Sequence, residues 1–158
     1  MLTLDELTGF ETEKLMEKIE QILKQVSKKI QFIVVVDKNG LPIASFDTIT
    51  NKSIDQEKEM MVAGIAAAVL NLGESTATIL DHGLLKQVLI KNEEGTTVIL
   101  SAGEAALLIA TLPARVGIGS PLISLQLIAN KIAKLKGLPG QSSPGPDDTS
   151  DIFIPEID

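Results

Sequence analysis

The residues of this chain that could support catalysis lie around its only histidine. His82 follows Asp81, and a histidine beside a carboxylate can act as general base for a nucleophilic serine, here Ser75 or Ser101. The sequence around neither serine resembles the nucleophile elbow of a hydrolase. A single histidine in a predicted loop is more often a surface residue, so we expect no catalytic residues here.

Two further segments allow other chemistry. Residues 117–121 read Gly-Ile-Gly-Ser-Pro, follow a predicted strand and open a predicted helix, so their backbone N–H groups could hold an anion. The segment lacks the third glycine, the lysine and the spacing of nucleotide-binding loops. A turn followed by a helix start explains it more simply. The pair Glu93-Glu94 is likewise expected in a solvated hairpin turn rather than as an acid–base pair.

The sequence offers no set of metal or cofactor ligands. It has no cysteine and one histidine, so a zinc or iron site would lack ligands. Arg115, the only arginine, could reach a partner's phosphates as an arginine finger, although a surface charge on a loop is the simpler interpretation. We therefore predict that the protein is not an enzyme and needs no cofactor and no metal.

Composition narrows the range of partners and of compartments. The 158 residues suit one domain, and 44% of them are hydrophobic, which is enough for a core. A net charge of −7 and the absence of tryptophan and tyrosine disfavour nucleic acid as a partner. The apolar stretch 60–72 is shorter than the roughly 20 residues of a membrane span, so no membrane insertion is expected. The lack of cysteine and of a basic leader fits a cytoplasmic protein.

Periodicity predicts three helices and five strands. Ser53 and Ser120 are the expected N-caps of the second and third helices, and either Thr3 with Glu6 or a later pair caps the first. The predicted elements are helix 12–29, strands 32–36 and 41–45, a helix after residue 53 that ends near 76, strands 84–91, 96–102 and 105–111, and helix 121–136.

Burial predicts the strand order. The first and fifth strands are uniformly apolar, which is typical of the centre of a sheet. Hairpins connect the others, so the expected fold is an α/β protein of the α+β sandwich type with an antiparallel sheet of order 2-1-5-4-3. Pro42 marks the second strand as one edge. The third strand is the other edge, and Lys86 and Lys91 are its only charged residues that oppose pairing with another strand.

The second helix predicts self-association. Its helical wheel suggests that Met61, Val62, Ile65, Val69 and Leu72 lie on the sheet and that a flank of mostly small residues faces outward. Small residues let a second helix approach closely, and an apolar strand edge can pair with its own copy in a C2 dimer. The alternative is that the alanines are ordinary surface helix formers. The predicted dimer interface consists of Met60, Ala63, Gly64, Ala67 and Asn71 of the helix with Leu85, Gln87 and Leu89 of the edge strand.

Three segments carry a family resemblance. FIVVVDKNGLPIAS, the alanine-rich helix and GLLKQVLIKNEEGTTVILSAGEAALLIATLPARVGIGSPL are similar to the roadblock/dynein light chain family over about residues 11–136. The resemblance implies that helices one and three cover one sheet face and helix two the other. It implies dimers joined through the second helix and third strand into a ten-stranded sheet. The partners it implies are Ras-like small GTPases, dynein intermediate chains or another roadblock chain.

The resemblance leads to one expected function with two alternatives. We expect a non-catalytic homodimeric scaffold or regulator that binds a Ras-like small GTPase. Some bacterial relatives act as dimers that stimulate GTP hydrolysis, so a GTPase-activating partner is one alternative. A purely structural adaptor in a larger complex is the other. A heterodimer with a related chain also stays open.

The resemblance does not cover the C-terminal segment, residues 137–158, which follows the predicted domain of residues 1–136. This segment has a flexible, proline- and glycine-rich composition at 139–146 and contains no lysine or arginine. Its acidic residues are Asp147, Asp148, Asp151, Glu156 and Asp158. Segment 152–157 could be a docking peptide anchored by Ile152, Phe153 and Ile154. The alternative is a disordered, solubilising end.

Overall fold

The computed structural model describes residues 3–138, without the side chains at positions 4, 5, 7, 8 and 10. The predicted docking peptide Ile152, Phe153 and Ile154 and nearly all of the acidic segment lie outside the described residues, so that hypothesis stays a prediction. The elements are α1 (Leu4–Leu23), β1 (Phe32–Asp37), β2 (Pro42–Asp47), α2 (Gln56–Leu80), β3 (Gln87–Lys91), β4 (Gly95–Ser101), β5 (Ala106–Pro113) and α3 (Gly119–Ala133).

The sheet has the predicted architecture. Its five strands lie in the order β2-β1-β5-β4-β3, and every pairing is antiparallel. The two apolar strands β1 and β5 are central, with Val34 opposite Ile109. Pro42 begins the edge strand β2, where its missing N–H costs little.

The two faces of the sheet bury separate cores. Ile33 and Val35 of β1 pack with Ile19 of α1 and Leu125 of α3. The alternate residues Val34 and Val36 face the opposite side, where they pack with Ala63 and Ala66 of α2. Because side chains alternate along a strand, β1 supplies both cores, with α1 and α3 on one side and α2 on the other.

The helix starts differ from two of the three predictions. Thr3 and Glu6 form a reciprocal capping box at α1, which is one of the two expected pairs. Ser53 does not cap α2, since Asp55 accepts the N–H of Lys58 at 3.3 Å instead. The reason is that the buried Ile54 donates its N–H to Ser45 Oγ at 3.0 Å, which holds residue 54 outside the helix.

The third helix has no side-chain cap. It begins at Gly119 with Ile118 at the N-cap, so the expected capping role of Ser120 is wrong. Ser120 lies inside the first turn, where its Oγ accepts a hydrogen bond from Lys29 Nζ at 3.2 Å.

The end of α2 and the start of β3 also differ from the predicted boundaries. Helix α2 continues to Leu80 and ends at Asp81, which adopts a left-handed conformation with φ 56°. Strand β3 starts at Gln87 rather than at residue 84. The segment between them serves as a connection, in which Gly83 has φ +80° and Leu84 is 94% exposed.

Candidate protein–protein interface

Helix α2 places two alanines closest to the sheet, with Val62 and Val69 partly buried beside them as predicted, and turns several bulky residues away from it. Ala63 and Ala66 are completely buried within the subunit. Met61, Ile65 and Leu72 are 65%, 53% and 69% exposed. The predicted orientation of this helix is therefore wrong for these residues: Ala63 is not available to a partner, and three residues expected on the sheet face outward.

Close backbone approaches explain this orientation. A Cβ on Gly40, in the β1–β2 turn, would lie 3.0 Å from the Cβ of the half-buried Ala67, whose place in the predicted interface stays a prediction. Farther along, a Cβ on Gly73 would lie 2.6 Å from Cδ2 of Leu85. Ala63 and Ala66 therefore lie at the closest approach of α2 to the sheet, and the larger Val62, Val69 and Leu70 pack at the margins of that contact, where they are partly buried.

Four of the exposed apolar residues of α2 form a continuous row, here called the outer stripe: Met61, Ile65, Ala68 and Leu72. Spacings of four, three and four residues place them on one face of the helix. Met60, Gly64 and Asn71 of the predicted interface are exposed beside it. A stripe of this kind is what a second helix packs against.

Among residues 3–138, no strand pairs with the outer edge of β3, which lies next to the outer stripe. Lys86 accepts a backbone hydrogen bond from Ser101 of β4 at 3.3 Å. Because hydrogen-bonded pairs alternate along an antiparallel ladder, Gln87, Leu89 and Lys91 direct their N–H and C=O groups away from β4. Leu89 is 40% exposed.

A groove of about 410 Å³ joins the helix to the edge strand. Leu72 and Gly73 of α2 form one wall, and Leu85 and Val88 form the other. Leu85, predicted in the interface, is half-buried here and turns onto Gly73. The outer stripe, the groove and the edge of β3 therefore make one uninterrupted surface.

Comparison with known proteins decides the family. The family model of the Roadblock/LC7 domain matches residues 18–111, which include β1 to β4, all of α2 and most of β5. The chain belongs to the Roadblock/LC7 family. The resemblance seen in the sequence is thereby confirmed.

Relatives and solved structures agree with this assignment. The uncharacterized protein MJ0310 of Methanocaldococcus jannaschii is 34% identical over 116 residues, which cover 72% of this chain and 96% of that protein. Myxococcus xanthus MglB has a TM-score of 0.66 at 17% identity, covering 75% of this chain and 87% of its own. A structure of MglB with tetrameric arrangement has a TM-score of 0.63 at 17% identity, covering 77% and 87%. At such identities the two structures establish the fold alone.

In this Roadblock/LC7 chain, the length of α2 corrects the expectation that its apolar stretch is too short to span a membrane. The helix has 25 residues and is long and apolar enough to cross a membrane by length and composition alone. The helix packs on β1, β2 and β5, yet only 11% of its most apolar window is buried within the subunit. The outward exposure of α2 is also what a protein interface requires.

The serine–histidine arrangement considered from the sequence is not assembled. His82 donates its backbone N–H to the carbonyl of Ala77 at 2.9 Å and so closes the end of α2. Ser101 donates its hydroxyl to the carbonyl of Gly103 at 3.1 Å, and Ser75 lies exposed on α2. His82 and Ser101 thus make hydrogen bonds to nearby backbone carbonyls.

The remaining chemical candidates are turns and surface positions. Glu93 and Glu94 are exposed in the β3–β4 turn, where the carbonyl of Glu94 accepts the N–H of Ala114 at 3.2 Å. Arg115 is exposed in the loop that joins β5 to α3. Within residues 3–138, no three histidine or acidic side chains cluster as metal ligands would.

The residues missed from sequence alone are Ile65, Leu72 and Met61 as surface residues. Hydrophobicity could not reveal their orientation, because α2 is apolar on nearly every side. The usable signal is the small size of Ala63, Ala66 and their neighbours, combined with the large side chains of β1 and β5 that already fill the space.

Proposed function

We propose that this protein is a non-catalytic homodimer that acts as a scaffold or regulator for a Ras-like small GTPase in the cytoplasm. The observation that carries the proposal is the outer stripe, which lies exposed beside the open edge of β3. Monomeric proteins rarely leave a contiguous apolar patch and a strand edge uncovered together. A second copy of the chain covers both.

The edge of β3 supports a self-complementary pairing. A two-fold axis through Leu89 places Val88 opposite Ile90 of the second copy and Gln87 opposite Lys91. All five residues of β3 are then paired, no like charges face each other, and the outward N–H and C=O groups meet. Two five-stranded sheets become one sheet of ten strands.

The outer stripe supports the same two-fold arrangement. Val88 packs in the core on the α2 side of the sheet, so the helices of both subunits lie above the joined strands on the same face. Ile65 and Leu72 of one subunit then pack against the same row of the other, which is the isologous contact of a C2 dimer. The MglB structure with tetrameric arrangement is an example of self-association on this fold in another protein.

Family membership supports the GTPase as partner. Small-GTPase binding is what the roadblock resemblance implies, and the family model matches residues 18–111. The protein then acts by holding or reshaping its partner. The activator alternative has one specific observation in its favour, which is that the guanidinium of Arg115 is exposed on a loop.

Affinity capture followed by a hydrolysis assay tests the proposal. The full chain is used to capture partners from native extract, and mass spectrometry identifies them. We expect a small GTPase among them, bound in one nucleotide state. Capture of other proteins without any GTPase contradicts the proposal and favours the structural adaptor. Capture of lipid vesicles through α2 also contradicts the proposal.

Phosphate release by the captured GTPase separates regulator from activator. Rates are measured with the wild-type chain, with Arg115→Ala and without either. A scaffold leaves the rate unchanged. An activator that uses an arginine finger accelerates it by roughly 10³ or more, and Arg115→Ala abolishes the acceleration.

A further inference from the structure

The free edge of β3 carries a charge pattern that another segment of the same chain matches. Lys86 and Lys91 are exposed and five positions apart, and Val88, Leu89 and Ile90 lie between them. In the C-terminal segment, Asp151 and Glu156 are also five positions apart, and the apolar residues Ile152, Phe153, Ile154 and Pro155 lie between these acids.

We propose that residues 151–156 add to the edge of β3 of their own subunit as an antiparallel strand. In this register Asp151 lies opposite Lys91, and Glu156 lies opposite Lys86. The apolar pairs are Ile152 with Ile90, Phe153 with Leu89 and Ile154 with Val88. Opposite charges and apolar or aromatic pairs placed directly across two strands are the contacts that stabilise a sheet.

The backbone groups of β3 select the antiparallel orientation. Leu89 directs its N–H and C=O outward, so it exchanges both hydrogen bonds with Phe153. Pro155, which has no N–H, lies opposite Gln87, so the outward C=O of Gln87 lacks its donor, but this lost bond falls at the end of the ladder. In a parallel pairing the charges also match, but the missing N–H of Pro155 falls at Leu89, in the middle of the strand.

The connecting chain is long enough to reach the edge. Leu138 is buried against the α1 and α3 side of the sheet, and residues 139–150 join it to Asp151. These 12 residues span about 40 Å when extended. A five-stranded sheet is about 19 Å wide, and β3 is about 17 Å long. The segment therefore reaches the Lys91 end of β3 without any change in the domain.

One edge cannot hold two strands, so the C-terminal strand and a second subunit exclude each other at β3. The added strand covers an edge that a lone subunit leaves open to unspecific pairing. Strand addition does not depend on the proposed homodimer, whereas the competition with it does.

Disulfide trapping in the full chain tests the strand addition directly. The wild-type chain has no cysteine, so only the introduced pair can form a bond. Ile90→Cys with Ile152→Cys is the test pair, because opposite residues in a non-hydrogen-bonded position have Cα atoms about 4.5 Å apart, within disulfide range. Ile90→Cys with Phe153→Cys is the control, because residue 153 faces the other side of the sheet.

We expect the test pair to form an intramolecular disulfide in dilute redox buffer, with on the order of tenfold more bond than the control pair at equilibrium. Equal oxidation of both pairs overturns the proposal, because the segment then has no register on β3. Bonds formed only between two chains overturn it too, because the segment then docks on another subunit.

Charge reversal tests the competition. We expect Asp151→Lys with Glu156→Lys to lower the apparent dissociation constant of the dimer on the order of tenfold, because both subunits need a free edge and that constant therefore scales inversely with the square of the fraction of subunits whose edge is free. Asp147→Lys with Asp148→Lys changes the net charge equally outside the register and should leave it unchanged. If both reversals act equally, the competition is contradicted. If the reversed chain stays a single subunit at every concentration, the homodimer fails, while the disulfide result still decides the strand addition.

Discussion

Gly40 in the β1–β2 turn lies directly against Ala67 of α2. A Cβ on Gly40 would be 3.0 Å from the Cβ of Ala67, and the backbone of Gly40 is left-handed with φ +83°. This contact leaves no room for a larger side chain on either partner. It therefore helps to fix the rotation of α2 about its axis, which is what places Ile65 and Leu72 on the outside.

Alanine at Gly40 should destabilise the fold more than alanine at Gly83. Both glycines have φ near +80°, so each substitution costs about 1–2 kcal/mol in backbone conformation. Gly83 has nothing within 4 Å of its Cβ position, whereas Gly40 meets Ala67. Urea unfolding of Gly40→Ala and Gly83→Ala gives the difference in free energy. Equal losses would show that the contact with Ala67 does not hold α2.

Proline at two adjacent positions of β3 should separate the dimer from the fold. The N–H of Leu89 points to the free edge, so Leu89→Pro removes a hydrogen bond to the second subunit and leaves the pairing with β4 intact. The N–H of Val88 points to β4, so Val88→Pro removes a ladder hydrogen bond, leaves its acceptor unpaired and should cost about 1–3 kcal/mol of folding free energy. Sedimentation velocity and urea unfolding report the two effects. A folded dimer of Leu89→Pro would contradict the role of this edge.

Leucine at Ala63 and Ala68 should have opposite consequences. Ala63 is completely buried against the sheet, so Ala63→Leu is expected to cost about 1–3 kcal/mol through overpacking. Ala68 is exposed on the outer stripe, so Ala68→Leu should change subunit stability by less than about 0.5 kcal/mol. Both are measured in an Ile65→Glu background, so that self-association does not contribute. Similar losses would mean that α2 is rotated from the orientation described.

The strand order could be predicted from the sequence, whereas the rotation of α2 about its axis could not. The strand order followed from the apolar runs of β1 and β5 and from Pro42, because a fully apolar strand has no face that can meet water. The rotation of α2 did not follow, because residues 60–72 carry no charge to mark a solvent side. Size complementarity with the sheet decided it, and that depends on contacts such as Gly40 with Ala67, which are distant in sequence.

The predicted N-cap of α2 was wrong for a similar reason. Ser53 precedes a helical pattern and Gln56 follows at the capping-box spacing, so local chemistry favoured it. The hydrogen bond from Ile54 N–H to Ser45 Oγ moves the start of α2 to Asp55. That bond joins the helix start to β2, so no local pattern could reveal it. The capping box of Thr3 and Glu6 is purely local, and it was predictable.

Acid should weaken the start of α1. The backbone N–H of Thr3 donates to Glu6 Oε2 at 2.8 Å, and this bond, with that of the Thr3 side chain, lowers the pKa of Glu6 below its ordinary value of 4.5. Because the folded-state pKa is depressed, the stabilisation is present above the unfolded-state pKa and is lost as pH falls through the folded-state pKa. An NMR titration of the Glu6 carboxyl should show a midpoint below 4.5.

Proline at position 3 provides the control for that titration. The φ of Thr3 is −73°, which proline adopts without strain, and Thr3→Pro removes both the N–H and the hydroxyl. The pKa of Glu6 should then return to its ordinary value. An unchanged midpoint would mean that Thr3 does not cause the shift.

The mass of the protein in solution tests the central claim most directly, which is that the outer stripe and the edge of β3 join two copies. Sedimentation equilibrium is run on the wild-type chain, on Asp151→Lys with Glu156→Lys, on Ile65→Glu and on Ile123→Glu. Ile123 is 60% exposed on α3, so Ile123→Glu is the same change at similar exposure on the opposite side. We predict a mass that rises with concentration to twice the 16.8 kDa of one chain for all except Ile65→Glu, which stays at one chain. A single-chain mass for the wild-type and the charge-reversed chain at every concentration would contradict the claim, and so would equal behaviour of Ile65→Glu and Ile123→Glu.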